Sequence, residues 1–125
     1  MNRTINLRAL LLFAMTMVSF LIFGQYQGPG VSDKIYTVKE VKANAIQLDR
    51  SDALVKVKGF ITKQINGEDY EFKDSTGILR VEIDKKRMPQ RPFDETTELI
   101  LIGEVDYDIL RPIEFDVKQI IFVNE

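Results

Sequence analysis

The side chains of this chain that could carry chemistry are carboxylates and the cationic groups of lysine and arginine. Its 125 residues contain neither histidine nor cysteine, which excludes the most common general base, the most common metal ligand and the thiolate nucleophile. Glu114 and Asp116 are two residues apart, so on a strand both carboxylates lie on one face. Such pairs are usually solvated charges that neighbouring lysines neutralise. We predict that the protein is not an enzyme, has no catalytic residues and needs no cofactor.

Two groups of cations could bind an anionic ligand. The first lies on a predicted outer strand face and includes an aromatic ring: Lys56, Lys58, Phe60 and Arg80. The second occurs in the connection after the third predicted strand: Lys85, Lys86, Arg87 and Arg91. A ring among cations suits a sugar or an anionic glycan, and dense cations suit the phosphate or carboxylate groups of lipopolysaccharide or peptidoglycan. An ordinary charged strand face and a solvated loop are the alternative interpretations.

One group of carboxylates could instead bind a cation. It lies at one predicted end of the fold and consists of Asp106, Asp108, Glu114 and Asp116. Oxygen ligands of this kind suit a hard metal ion or a cationic peptide. The spaced Asp and Gly residues of an EF-hand are missing, and a turn would by itself account for Asp108.

Alternating apolar and polar residues predict five short strands in the last two-thirds of the chain. They lie at about 55–61, 69–73, 79–84, 98–106 and 113–123. The pair Asn66-Gly67 is typical of a hairpin turn. The alternation becomes ambiguous after Lys118 and Gln119, which indicates a β-bulge there.

A single helix is predicted before the strands. Thr37 and Glu40 have the spacing of a capping box, and apolar residues at helical spacing continue the helix over 38–47. Gly59 and Gly103 lie inside strands, where glycine usually marks a sharp bend. Together these features predict an all-β fold with one short helix: a five-stranded OB-fold Greek-key barrel whose helix precedes the first strand and plugs one end.

The N-terminal sequence predicts export. Arg3 and Arg8 accompany an apolar run at 9–23, which is shorter than the roughly 20 residues that span a bilayer and suits a signal peptide. Gly24 is the preferred cleavage position. The predicted divisions are a signal peptide at 1–24, a flexible mature N-terminus at 25–34 and an OB-fold domain at 35–125. We expect no stable membrane anchor after cleavage; an uncleaved anchor is the alternative.

The charge balance argues against a nucleic-acid ligand. The full chain has 17 Lys and Arg against 19 Asp and Glu, and the predicted leader removes two arginines, leaving 15 against 19 and a net charge of −4. Nucleic-acid binders usually carry a basic footprint. We therefore expect no nucleic-acid partner.

The order of the strand motifs resembles the bacterial OB-fold (BOF) family, the YgiW/YdeI-type periplasmic stress-tolerance proteins. The resemblance rests on Val57-x-Gly59, Tyr70-x-Phe72-Lys73-Asp74-x-x-Gly77, Val81-x-Ile83-Asp84, Gly103-Glu104-Val105-Asp106 and Phe115-Asp116-Val117-Lys118. It implies a helix before the first strand, a periplasmic location and a role in tolerance of envelope stresses. It implies no defined active site.

These observations lead to two hypotheses about function. The preferred one is a non-catalytic periplasmic binding module, a monomer that supports envelope stress tolerance by binding an envelope glycan or an envelope protein through its Lys and Arg residues. The alternative is a cation-responsive factor that binds metal ions or cationic peptides through the acidic end. The two hypotheses differ in which charged surface matters.

Overall fold

Five strands make up just under half of residues 33–124, the part of the chain that the computed structural model describes. Two short helices and a two-residue strand precede them. The elements are β1 (Ile35–Tyr36), α1 (Val38–Ala43), α2 (Ala45–Arg50), β2 (Val55–Asn66), β3 (Asp69–Asp74), β4 (Gly77–Glu82), β5 (Leu99–Asp106) and β6 (Glu114–Phe122). The leader predicted at 1–24 and most of the flexible segment predicted at 25–34 lie outside the described residues.

The five strands from β2 to β6 close into a barrel. Their order is β2-β3-β4-β6-β5, and β5 pairs back onto β2. Neighbours are antiparallel except β4 and β6, which are parallel; β1 adds a short parallel pairing to β2. This is the strand order of an OB-fold barrel, so the predicted fold class is confirmed.

The barrel interior is entirely apolar in the described chain. Inward side chains of every strand meet the buried face of the two helices in one hydrophobic cluster, in which Phe72 and Phe115 are the largest fully buried side chains. The helices contribute Val38, Val41, Ala45 and Leu48. Among residues 33–124, no polar or charged residue is classed as buried. Any ligand chemistry of this part of the chain therefore takes place on its surface.

The two glycines inside strands allow the barrel to close. A Cβ at Gly59 would collide with the carbonyl oxygen of Lys73 and lie 2.9 Å from Cζ of Phe72. At Gly103, a Cβ would collide with the carbonyl oxygen of Asp116. Only a residue without a side chain lets the neighbouring backbone approach this closely.

The predicted helix is divided in two at Asn44. The capping box is present: the Thr37 hydroxyl accepts from the Glu40 amide at 3.1 Å, and the Glu40 carboxylate accepts from the Thr37 amide at 3.2 Å. Both the backbone amide and the side-chain amide of Asn44 donate to the Glu40 carbonyl. This side-chain bond competes with helical geometry. A second turn, α2, then extends to Arg50, beyond the predicted end at 47.

The turn between β3 and β4 holds the start of α1. The Val38 amide donates to Oδ2 of Asp74 at 2.8 Å, and the Lys39 amide donates to Oγ1 of Thr76 at 3.0 Å. Burial tends to raise the pKa of Asp74, but hydrogen bonds from Thr76, Val38 and Gly77 outweigh it and hold the pKa below its ordinary value of 3.8. The helix is thus attached to the barrel through a charged cap.

The predicted turn and bulge are both present. Gly67 has a φ of 46° in the turn between β2 and β3, a conformation that favours glycine. The β5–β6 register shifts between Ile102, which faces Gln119, and Gly103, which faces Val117. Lys118 is the extra residue, and the side-chain alternation of β6 changes there.

We expect Gly59→Ala and Gly103→Ala each to lower the free energy of unfolding by roughly 1–3 kcal/mol, because the added methyl group meets a neighbouring carbonyl. Gly77→Ala is the matched control: its Cβ would meet only Cγ1 of Val38, at 3.4 Å, and it should cost less than about 0.5 kcal/mol. Urea unfolding measures all three. Equal losses of stability in all three variants would contradict the close backbone approaches at Gly59 and Gly103.

We expect Asp74→Ala to lower stability at pH 7 by about 1–2 kcal/mol, because it removes a helix cap. Because the pKa of Asp74 is lowered in the folded state, its stabilisation is present at neutral pH and is lost as pH falls through that lowered pKa. Asp94→Ala is the control, since Asp94 makes a similar turn with Thr96 but contacts no helix. A loss for Asp94→Ala as large as that for Asp74→Ala would show that the helix contact contributes nothing.

Candidate functional site

Acidic side chains cover the outer surface of four adjacent strands. In the register of the sheet, Asp69 of β3 lies beside Glu82 of β4, Glu82 beside Asp116 of β6, and Asp116 beside Glu104 of β5. The next row is Glu71, Arg80, Glu114 and Asp106. We call the seven carboxylates of these two rows the acidic face: Asp69, Glu71, Glu82, Glu104, Asp106, Glu114 and Asp116.

Arg80 lies within the acidic face, between Glu71 and Glu114. Its guanidinium donates to Oδ2 of Asp69 at 2.6 Å, and the pKa of Arg80 is raised by this hydrogen bond and by the charge of Asp69. From the sequence, Arg80 was expected on one binding face with Lys56, Lys58 and Phe60. The structure does not bring them together, because Arg80 belongs to β4 and the other three residues to β2.

The tightest group of carboxylates consists of Asp69, Glu82 and Glu114. One carboxylate oxygen from each lies within 4.8 Å of the other two. Burial, a hydrogen bond with Asp69 and the charges of Asp69 and Glu82 raise the pKa of Glu114, while Arg80 acts in the opposite direction. These three residues could share a proton or a hard cation, although Arg80 already offsets part of their charge.

The acidic face continues into a depression of about 260 Å³ beside the end of α2. Asp49 and Asp52 add two further carboxylates to its lining, which otherwise comes from β4, β5 and β6: Glu82, Glu104, Val105, Asp106, Glu114 and Asp116. Three residues of the predicted acidic end, Asp106, Glu114 and Asp116, are thus together. Asp108 does not line the depression; it lies in the loop after β5, where its carboxylate pairs with Arg111 at 3.0 Å.

Two cations at the edges of the acidic face neutralise a small part of it. Lys118 pairs with Asp116 at 2.8 Å, and Lys63 lies 3.6 Å from Glu71. Both pairs are partly exposed, where an ion pair contributes little to stability. With Arg80, three cations face seven carboxylates, so the surface keeps a clear negative charge.

Lys56, Lys58 and Phe60 point outward from β2. Lys56 faces Ile102 and Lys58 faces Ile100 in the β5 register. Lys58 and Phe60 also line a shallow groove of about 320 Å³ with residues of β1 and the β3–β4 turn. This surface is a mixture of aliphatic and basic side chains on a different part of the barrel from the acidic face.

The predicted basic connection contains one 3₁₀ turn, Lys85–Arg87. The Asp84 carboxylate accepts from the Lys86 amide at 2.9 Å, and Arg87 donates to the Lys118 carbonyl at 3.3 Å. The guanidinium of Arg91 lies over the Phe122 ring, 4.3 Å from its centroid. All four cations are exposed, but Arg87 and Arg91 are already held against β6.

The acidic face lies where OB-folds bind their ligands. That region is the outer surface of the second and third barrel strands, between the loops that join strands one to two and four to five. Here these strands are β3 and β4, which carry Asp69, Glu71 and Glu82. A polyanion such as a nucleic acid would be repelled from this surface.

The sequence pattern did not reveal four members of the acidic face as parts of one site: Asp69, Glu71, Glu82 and Glu104. Alternation along each strand places their side chains outward, but their proximity depends on the parallel pairing of β4 with β6. No local pattern encodes that pairing.

Among residues 33–124, no helix combines the length and hydropathy needed to cross a membrane.

Comparisons with known proteins agree with this architecture. The family model described as bacterial OB fold (BOF) protein matches residues 20–122. The calcium-regulated OB-fold protein CarO of Pseudomonas aeruginosa is 37% identical over 97 residues, which cover 77% of this chain and 79% of that protein. Protein YgiW of Escherichia coli K12 is 39% identical over 75 residues, 60% of this chain and 57% of YgiW.

Solved structures show the same fold. The structure of the hypothetical protein YgiW from E. coli has a TM-score of 0.65 at 35% identity, covering 79% of this chain and all of that one. A chain of the S. pombe Stn1–Ten1 complex has a TM-score of 0.51 at 14% identity, covering 74% of this chain and 78% of that one, a likeness of fold alone. With the family model matched over nearly the whole barrel, this chain belongs to the bacterial OB-fold (BOF) protein family.

Proposed function

We propose that this protein is a non-catalytic binding module of the bacterial cell envelope, and that its acidic face binds a cationic ligand. Its family is built on an OB-fold, a scaffold that binds ligands on its outer strands. The described residues offer charged surfaces and an apolar interior, an arrangement suited to binding a charged ligand.

The observation that carries this proposal is the pairing of like charges across strands. Four neighbouring pairs are acidic on both sides: Asp69–Glu82, Glu82–Asp116, Glu104–Asp116 and Asp106–Glu114. Like charges opposite each other destabilise a sheet, and the ion pairs of Arg80 with Asp69 and of Lys118 with Asp116 offset only part of this charge. A cationic ligand would remove this repulsion, so binding would stabilise the folded barrel.

The envelope location is part of the same proposal. It is supported by the arginines and the apolar run at 9–23, which have the pattern of a signal peptide. The Pseudomonas relative is named as calcium-regulated, which supports a link between this chain and cations. We propose a role in tolerance of envelope stress in which the protein acts by binding, as a monomer.

A second candidate is an anionic envelope glycan or envelope protein bound by the basic connection. Lys85 and Lys86 favour it, since both are exposed on one capped turn. It ranks lower because the basic residues are divided among four places: the outer side of β2, the Lys85–Arg87 turn, the Phe122 ring under Arg91 and the acidic face that contains Arg80.

We expect the purified protein to bind a fluorescent oligolysine peptide, with an affinity that falls as salt is added, because exposed charges are screened within about 10 Å at 0.1 M. The triple variant Glu82→Gln/Glu104→Gln/Asp116→Asn should weaken binding by about tenfold or more. Fluorescence anisotropy measures both effects.

The matched control is Asp33→Asn/Glu95→Gln/Glu98→Gln, which changes the net charge equally but leaves the acidic face intact. Its affinity for oligolysine should stay within about twofold of the original. Equal losses in the two triple variants would show that only net charge matters. Absence of oligolysine binding, together with glycan binding that Lys85→Gln/Lys86→Gln/Arg87→Gln abolishes, would select the second candidate.

Glu114→Gln should raise the unfolding midpoint at pH 7 while weakening oligolysine binding. The pKa of Glu114 is raised above its ordinary value of 4.5 in the folded state, so its charged form disfavours folding at higher pH. The gain in stability should therefore disappear as pH falls through that raised pKa. Glu95→Gln, on an exposed loop, should leave the midpoint unchanged. A lower midpoint for Glu114→Gln at pH 7 would contradict the repulsion within the acidic face.

A further inference from the structure

The loop between β5 and β6 exposes two large aliphatic side chains. Ile109 is 83% exposed and Leu110 is 88% exposed. Turns usually place Gly, Pro, Asn, Asp or Ser at such positions, because their backbone and side chains suit the turn and water. Two adjacent aliphatic residues at a turn leave apolar surface in water without a contribution to the core.

Hydrogen bonds between Asp108 and Arg111 close this turn. The Arg111 amide donates to the Asp108 carbonyl at 3.2 Å, and the Leu110 amide donates to Oδ1 of Asp108 at 2.9 Å. The Arg111 guanidinium also donates from Nε to Oδ2 of Asp108 at 3.1 Å. Ile109 and Leu110 are thus the two central residues of a cross-linked turn. Their side chains point into water.

This turn adjoins the acidic face. The loop leaves β5 after Asp106 and enters β6 at Glu114, and these two carboxylates are cross-strand neighbours in the row nearest the loop. In OB-folds, the loop at this place commonly contacts the ligand. Only two residues separate Asp106 from Ile109, and only three separate Leu110 from Glu114. The exposed apolar pair is therefore tethered directly to the end of the acidic face.

We propose that this surface docks a short basic amphipathic peptide, whose cations lie along the acidic face and whose aliphatic side chains cover Ile109 and Leu110. The inference rests on the proposed function and narrows its ligand class. The negative charge of the acidic face favours a cationic ligand, and the exposed Ile109 and Leu110 favour a ligand that also carries apolar side chains. A metal ion or a polyamine would use the carboxylates and leave Ile109 and Leu110 in water.

A membrane surface fits this region less well than a peptide does. Bacterial lipid surfaces are largely anionic, and the carboxylates next to the turn, Asp106 and Glu114, would be repelled by them. A peptide can place its charges and its apolar groups separately along the strand surface and the turn.

The test compares two fluorescent probes with the same number of lysines: oligolysine, and a peptide with leucines between the lysines. We expect the purified protein to bind the leucine-containing probe about tenfold more tightly. Ile109→Ser/Leu110→Ser should abolish this difference and leave the affinity for oligolysine unchanged. The fold should be preserved, because both side chains are exposed. Equal unfolding midpoints verify this.

The control is Ile35→Ser/Ile121→Ser, which changes two aliphatic residues exposed elsewhere on the barrel and should keep the preference for the leucine-containing probe. Oligolysine binding without that preference, or a preference that survives Ile109→Ser/Leu110→Ser, would overturn the peptide surface and leave the proposed function standing. Binding of neither probe would reject the proposed function itself. Binding of the protein to phosphatidylglycerol vesicles through Ile109 and Leu110, without peptide binding, would replace the peptide with a membrane.

Discussion

The close approach of a neighbouring strand backbone at Gly59 and at Gly103 is the constraint on which the rest of the structure depends. Each glycine lets a neighbouring carbonyl approach to a distance that a side chain would prevent: Lys73 of β3 approaches Gly59, and Asp116 of β6 approaches Gly103. Gly59 and Gly103 thus lie where β2 pairs with both β3 and β5 and where β5 pairs with both β2 and β6. Once the barrel is closed, its register is fixed, because a slip of one residue would turn the core side chains outward. That register aligns the carboxylates of four strands in two rows. The charged surface is thus a consequence of barrel closure.

The bulge at Lys118 divides the outer surface into two parts of different chemistry. Before it, β6 contributes Glu114 and Asp116 to the acidic face; after it, the outward positions are Gln119 and Ile121. Stability comes from the apolar interior and the capped helix α1, so the outer strands are free to carry residues that repel one another. Local arrangements that oppose folding are expected where a protein binds something. The repulsion within the acidic face and the aliphatic turn beside it are two such arrangements on one surface.

Local signals in the sequence predicted the architecture well. The capping box at Thr37, the turn at Gly67, the bulge at Lys118 and the five strands all depend on neighbours in the chain, and all are confirmed. The break in the helix was missed because it depends on one side-chain bond from Asn44 to the Glu40 carbonyl. The candidate site was predicted less completely. Alternation gave each side chain its side of the sheet, but only strand order shows that Arg80 lies among carboxylates and that Glu82 meets Asp116.

Nuclear magnetic resonance of the ¹⁵N-labelled protein, titrated with the leucine-containing lysine peptide, is the sharpest test of ligand binding on the acidic face, because it locates the ligand without any substitution. We expect shift changes in the amides of β3 and β4, in Glu104 and Asp106 of β5, in the first half of β6 and in Ile109 and Leu110, which saturate together and decrease in high salt. Changes confined to the Lys85–Arg87 turn and the outer side of β2, or no change at the highest peptide concentration, would contradict binding on the acidic face.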